Sequence, residues 1–338
     1  MLKIDAFPHI LPQPYLELAR PLARGRLARL FDQYEALAAL HDLDERFRVM
    51  DEFGEYVQVL TLVQPAVDAL GTGAVAAELA RCANDSMAEL CRGHPDRFAG
   101  FAAAVGLSDV DAAIDEVDRA VDQLGALGVQ IHTNILGAPL DEPRFEPFLA
   151  KLASLGRTVW VHPVRTPQMP DYPGEPASRY GMWMAFGWPY ETTVFMCRMV
   201  LAGVFQRHPD LRVLTHHAGG MIPHFAERFG KGLDFSEPMG LDLEGADDPA
   251  ARHALLIEQL KRFHGDTSLS GARHAIECGL GFFGPERLLF GTDMPFDLDG
   301  GPGYIRGAVR ALDDMELAEA DRQMIYHGNA RRLLRLPG

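Results

Sequence analysis

The chain has 338 residues, 47% of them apolar and 23% charged, which excludes a disordered segment; it also holds no long uncharged apolar run of the kind that spans a membrane. Its formal net charge of −15 excludes nucleic acid as a partner, because neutralising phosphates takes a basic face. A small anionic substrate stays open, since a few arginines or a metal can dominate the field of one pocket. The cysteines at 82, 91, 197 and 278 lack CxxC spacing and read as free thiols. The N-terminal MLKIDAFPHILPQPY has one lysine and too short an apolar stretch for a signal peptide, so a cytoplasmic protein is expected.

In chain order, short runs rich in Val, Leu and Ile predict strands at Leu2–Phe7, Val57–Leu62, Phe98–Ala103, Gly128–His132, Thr158–His162, Arg212–His216, Arg262–Asp266 and Arg287–Phe290. Helical periodicity falls between them, at Ala76–Arg92, Val110–Leu124, Glu146–Leu155, Thr192–Arg207 and Gly271–Gly279. Strands that alternate with helices imply parallel pairing, because a parallel partner needs a crossover. Eight such units predict an α/β fold, a (β/α)8 TIM-type barrel over residues 1–338 as a single domain. Two stretches break the rhythm. Arg20–Glu45 is a charged helical insertion after strand one, and Thr166–Tyr190 is a long arm after strand five, rich in Pro, Gly and aromatics. Such an arm reads as a lid, a binding loop or an interface. Leu317–Leu336 reads as two short helices with HGNA at the turn.

The unusual residues gather at the carboxyl ends of these strands. His9 follows strand one, His162 ends strand five, His216 and His217 end strand six, and Asp293 follows strand eight. In a barrel those ends converge on one face. Imidazole nitrogens and carboxylates suit zinc and other first-row divalent metals. Each residue taken singly also fits a structural hydrogen bond or a turn cap. In strand geometry His216 and His217 point to opposite sides, so only one is expected at the barrel mouth.

At these residues the sequence resembles the amidohydrolase superfamily, in the group that includes aminocarboxymuconate-semialdehyde, γ-resorcylate and 5-carboxyvanillate decarboxylases. The motifs are IDAFPHILP, VWVHP, WPYETT, HPDLRVLTHHAGGMIPHFAERF, RLLFGTDMP and GNARRLL, spread over the whole chain. The resemblance implies that His9, His162 and Asp293 bind one divalent metal, zinc or manganese, and that His217 and Asp293 are catalytic. It implies substrate-binding arginines at Arg228, which in such enzymes reaches a neighbouring subunit's site, and at Arg46 or Arg48, with Arg48 preferred. A homodimer or higher homo-oligomer is expected on the same ground. The pattern departs at strand one, where such proteins usually carry HxH, some decarboxylases ExH, and this chain has Phe7-Pro8-His9. His132 and His264 are further candidates near the pocket.

The implied activity is metal-dependent, non-oxidative decarboxylation of a small aromatic or unsaturated carboxylate. The alternatives are a hydrolase or hydratase with the same ligands, and a non-catalytic barrel in which Phe7 marks a decayed metal site.

Overall fold

The computed structural model describes residues 1–232 and 248–336. Its barrel strands are β1 (Lys3–Asp5), β2 (Tyr56–Leu62), β3 (Phe98–Ala104), β4 (Gly128–His132), β5 (Thr158–His162), β6 (Arg212–Thr215), β7 (His264–Asp266) and β8 (Leu288–Leu289). Each pairs in parallel with the next in the chain. The ring closes between β1 and β8, where Ala6 N–H donates to Phe290 O (2.9 Å) and Asp293 N–H to Phe7 O (3.1 Å). The expected α/β barrel is the fold.

Strands β4 and β5 are buried at every position, because helices cover their outer face and side chains fill the lumen. That is why they read as continuous apolar runs. The lumen holds Ile4, Phe7, Val59, Ala102, Trp160, Leu214 and Leu289. Trp160 donates its indole N–H to Ala6 O at 2.8 Å, so its one polar atom is satisfied. Gly128 makes room for it, since a Cβ there would collide with the Thr158 carbonyl and press on the Trp160 ring.

Helix Asn329–Leu334 closes the amino end of the barrel. Ala330, Leu333 and Leu334 pack into the lumen cluster. The Asn329 amide donates to Pro285 O (2.6 Å) and Leu288 O (2.8 Å), and Thr158 Oγ1 donates to Leu333 O (3.2 Å). The preceding helix Glu319–Gln323 reaches this one through a wide π-type turn at Met324–Gly328, where the HGNA motif begins.

Strand one is shorter than expected. Pro8 has no N–H to give a ladder, and Phe7 N–H turns back to Asp5 Oδ1 (3.1 Å). Pairing resumes at His9–Ile10 against Thr61–Leu62. The helix after the arm starts at Gly187, earlier than the expected Thr192, so Trp188 and Tyr190 lie in its first turns. A small hairpin, Asn134–Ile135 with Ala138–Pro139, follows β4 and carried no sequence signal that we read.

Candidate active site

His9, His162, His216, His217 and Asp293 meet at the carboxyl end of the barrel. One ring nitrogen from each of His9, His162 and His216 lies within 4.8 Å of the other two, and the same holds for ligand atoms of His216, His217 and Asp293. Asp293 is the hub: its Oδ1 lies 3.3 Å from His9 Nε2 and 3.4 Å from His216 Nε2, and its Oδ2 lies 3.7 Å from His217 Nε2.

The backbone explains why both adjacent histidines reach this point, against the expectation that only one would. β6 ends at Thr215, so strand alternation no longer applies at 216 and 217. His217 (φ 54°) and Ala218 (φ 50°) turn left-handed, as does Asp293 (φ 63°). Such residues cost roughly 1–3 kcal/mol each and persist where surrounding bonds hold them. Asp266, at the end of β7, is the brace. Its Oδ2 accepts from His216 Nδ1 at 2.5 Å and its Oδ1 accepts from Ala218 N–H at 3.1 Å. Gly220 (φ 65°) lets the turn meet helix Gly187–Leu201 backbone to backbone, since a Cβ there would collide with the Pro189 carbonyl. At the other wall Asp5 accepts from Thr292 N–H (3.1 Å), Thr292 Oγ1 (2.5 Å) and Tyr56 Oη (2.5 Å), fixing the residue before Asp293.

Second contacts set the tautomers. Thr61 Oγ1 donates to Pro8 O (2.5 Å), so its 3.0 Å contact with His9 is one in which Nδ1 donates. His162 Nδ1 faces Pro163 O at 2.7 Å, with the Gln64 amide beside it at 2.8 Å. His216 Nδ1 faces Asp266. At His9 and His216 Nδ1 carries a proton, whereas His162 Nδ1 lies between an acceptor, Pro163 O, and a donor, the Gln64 amide. His9 Nε2 and His216 Nε2 are buried without a close hydrogen-bond partner, with Asp293 Oδ1 at 3.3 and 3.4 Å.

Electrostatics separates the members. Burial lowers His9, although Asp293 pulls the other way. Burial, reinforced by neighbouring imidazoles, holds His162 well below the usual histidine range. Burial and His216 lower His217. His216 differs: burial lowers it, but Asp266 and Asp293 together outweigh burial and hold it at about 9. For Asp293 burial favours the neutral acid, yet contacts with His216, His217 and His9 win and keep it ionised.

The two departures from the barrel rhythm meet beside this cluster. Trp188 sets its edge against the His162 ring (centroids 5.3 Å), Trp183 packs on Trp188 (5.6 Å), and Arg26 of the insertion lies over Trp183 (5.2 Å). Tyr34, also from the insertion, packs on Phe296, which packs on His9 (5.6 Å).

The substrate arginines are not brought here within one chain. Arg48 is exposed on helix Leu43–Asp51, held by Glu45 (2.6 and 2.8 Å) and Glu52 (3.4 Å). Arg46, two residues earlier, is buried and donates to His9 O (2.8 Å), Ala39 O (3.0 Å) and Gln58 Oε1 (2.7 Å), a bracket behind the His9 backbone. Arg228 is exposed on helix Ile222–Gly232. His132 is buried, its ring 6.1 Å from that of His162, and burial pushes it down to about 4. His264 opens β7 two residues before Asp266, at the opposite end from the cluster. There burial and then Arg287 and Arg332 push it down to about 3. Sequence reasoning named His216 but expected only one of the pair at the mouth and gave the role to His217, and it missed the bracing role of Asp266; the HH pair followed by AGG was the available signal.

The profile of the amidohydrolase family matches residues 9–336. The γ-resorcylate decarboxylase of Rhodococcus jostii is 34% identical over 315 residues, covering 89% of this chain and 90% of that protein. The solved 5-carboxyvanillate decarboxylase of Sphingomonas paucimobilis superposes with a TM-score of 0.85 at 26% identity, over 99% of each chain. A dihydroxybenzoic acid decarboxylase from Polaromonas, solved with bound manganese and the inhibitor 2-nitroresorcinol, gives 0.78 at 26% identity, over 99% of this chain and 97% of that one. This chain, with its eight-stranded barrel and its histidines and aspartate at the strand ends, belongs to the amidohydrolase family.

Proposed function

We propose that the chain is a metal-dependent, non-oxidative decarboxylase of a small aromatic or unsaturated carboxylate. The observation that carries this reading is the convergence of His9, His162 and His216 at the carboxyl end of the barrel, with His217 and Asp293 beside them. Neutral imidazoles and an ionised carboxylate are the donors a divalent first-row ion takes, and a buried nitrogen without a partner is a group that such an ion would satisfy. His9, His162 and Asp293 would hold one ion, zinc or manganese. When bound, it supplies positive charge that binds the substrate's carboxylate and an adjacent oxygen and favours negative charge there.

The chain's own groups do the rest. His217, whose Nε2 lies 3.7 Å from Asp293 Oδ2, takes up a proton from solvent and delivers it to the carbon bearing the carboxylate, with the Asp293 carboxylate stabilising the protonated ring. The C–C bond then breaks, its electron pair restores the ring or double bond, and carbon dioxide leaves. Trp188 and Trp183 wall the site and exclude water. Arg48 is left out of this reading because its guanidinium is engaged by two glutamates on the outer face. Arg228 is assigned to the site of a second copy. The exposed Tyr180, Phe186 and Tyr190 on the arm support a homodimer or larger assembly. Among the described residues no helix is long and apolar enough to cross a membrane, and the four free cysteines support a cytoplasmic setting.

The test is a screen of carboxylated aromatics for carbon dioxide release by metal-loaded protein, with Asp293→Asn as control. Release that needs Asp293 supports the reading. Water addition without carbon dioxide would replace it with a hydrolase or hydratase.

A further inference from the structure

Phe7 and His216 form the least expected pair in the lumen. Phe7 stands among the metal-type residues and can ligate nothing, yet its ring lies flat against His216, with centroids 4.0 Å apart and planes at 22°. It also reaches towards the other imidazoles, 5.8 Å from the His9 ring and 6.3 Å from that of His162. The stack presses one face of His216, and Asp266 grips Nδ1 at 2.5 Å, so the ring has neither free rotation nor a choice of tautomer. What remains is Nε2, fully buried and without a hydrogen-bond partner, on a ring with a nitrogen within 4.8 Å of nitrogens from both His9 and His162.

We infer that His216 is itself a metal ligand, joining His9, His162 and Asp293, with Asp266 and Phe7 as the residues that position its ring. The inference rests on the metal-dependent reading above. It gives the two adjacent histidines separate tasks: His216 binds, and His217, on the left-handed turn that Asp266 also braces, is free to carry a proton. A carboxylate–histidine–metal chain of this kind fixes the ring and raises the basicity of the nitrogen that binds. Phe7 then has a constructive role as the flat wall against which the ligand is held. The same ring contacts imply that an imidazole placed at position 7 would reach the same centre.

The experiment is a zinc titration of chelator-stripped, full-length protein against a chromophoric competitor. It is paired with electron spin-echo measurements on the manganese-loaded protein, which count coordinated imidazoles. With [15N]histidine labelling, the unsubstituted protein should show three imidazoles. His216→Ala should weaken zinc binding more than 100-fold and lose one imidazole, and Asp266→Asn should weaken it by about 10–100-fold. Phe7→His in the His216→Ala background should recover most of the affinity and the third imidazole. Circular dichroism and the melting temperature check that each variant folds, and the count on unsubstituted protein stands even if one does not. Two imidazoles in that protein, or unchanged zinc affinity in folded His216→Ala, would overturn the inference and leave the metal reading intact. Absence of zinc and manganese binding by the unsubstituted protein would overturn both.

Discussion

The two ends of the barrel bury histidine with opposite results. At the amino end His264 is enclosed next to Arg287 and Arg332, and burial with those cations pushes it down to about 3. At the carboxyl end His216 is enclosed even more fully, but beside Asp266 and Asp293, and it rises to about 9. Burial is common to both, so burial does not mark the site. The sign of the neighbours does: an apolar plug and arginines make a structural floor, whereas carboxylates and clustered imidazoles mark the candidate site.

The sharpest way to break this contrast is to remove the proposed acid–base pair at the mouth. Asp293→Asn and His217→Ala should each lower turnover by about 10²–10⁴-fold, the range that proton delivery contributes, while the circular dichroism spectrum stays unchanged. Full activity in either would remove that residue from its role. The lumen between the ends should respond in stability. Trp160→Ala should cost about 3–5 kcal/mol in urea denaturation, because it empties the barrel centre and strands the Ala6 carbonyl. Acid should act through the floor. His264 has its folded pKa below the ordinary value of 6.5, so the unfolded chain binds more protons between pH 6.5 and about 3. Its contribution is present above that window and is lost as pH falls through it. His264→Gln should flatten the loss of stability between pH 6.5 and 4, and an unchanged slope would contradict the buried neutral imidazole. The smallest effect belongs to Arg48→Ala, which should shift stability by no more than about 0.5 kcal/mol and leave kcat/KM unchanged. A large rise in KM would return Arg48 to the substrate.

Much of this was legible in the sequence. The alternation of apolar runs with helical periods identified the barrel, and His9, His162, His217 and Asp293 stood out as ligand-type residues at strand ends. Other parts were hidden by local backbone. Alternation at His216 and His217 assumes a strand that in fact stops at Thr215, one residue short of the expected end. The choice between Arg46 and Arg48 was readable from helical spacing. Val49 and Met50, three and four residues after Arg46, mark its face as buried, whereas Glu45 and Glu52 share the face of Arg48. The charge of Arg48 suggested a carboxylate, and its own neighbours already supply two.

One contact has a bearing on selectivity. Where Gly220 meets the Pro189 carbonyl, main chain lies directly on main chain, with no side chain to act as padding. Trp188 is the residue before Pro189, and His217 lies three residues before Gly220. The aromatic wall and the proposed proton donor are therefore linked through this contact. On the proposed reading, a substrate too broad for the wall would move the donor as well, so excess size would register as slower chemistry rather than only as weaker binding.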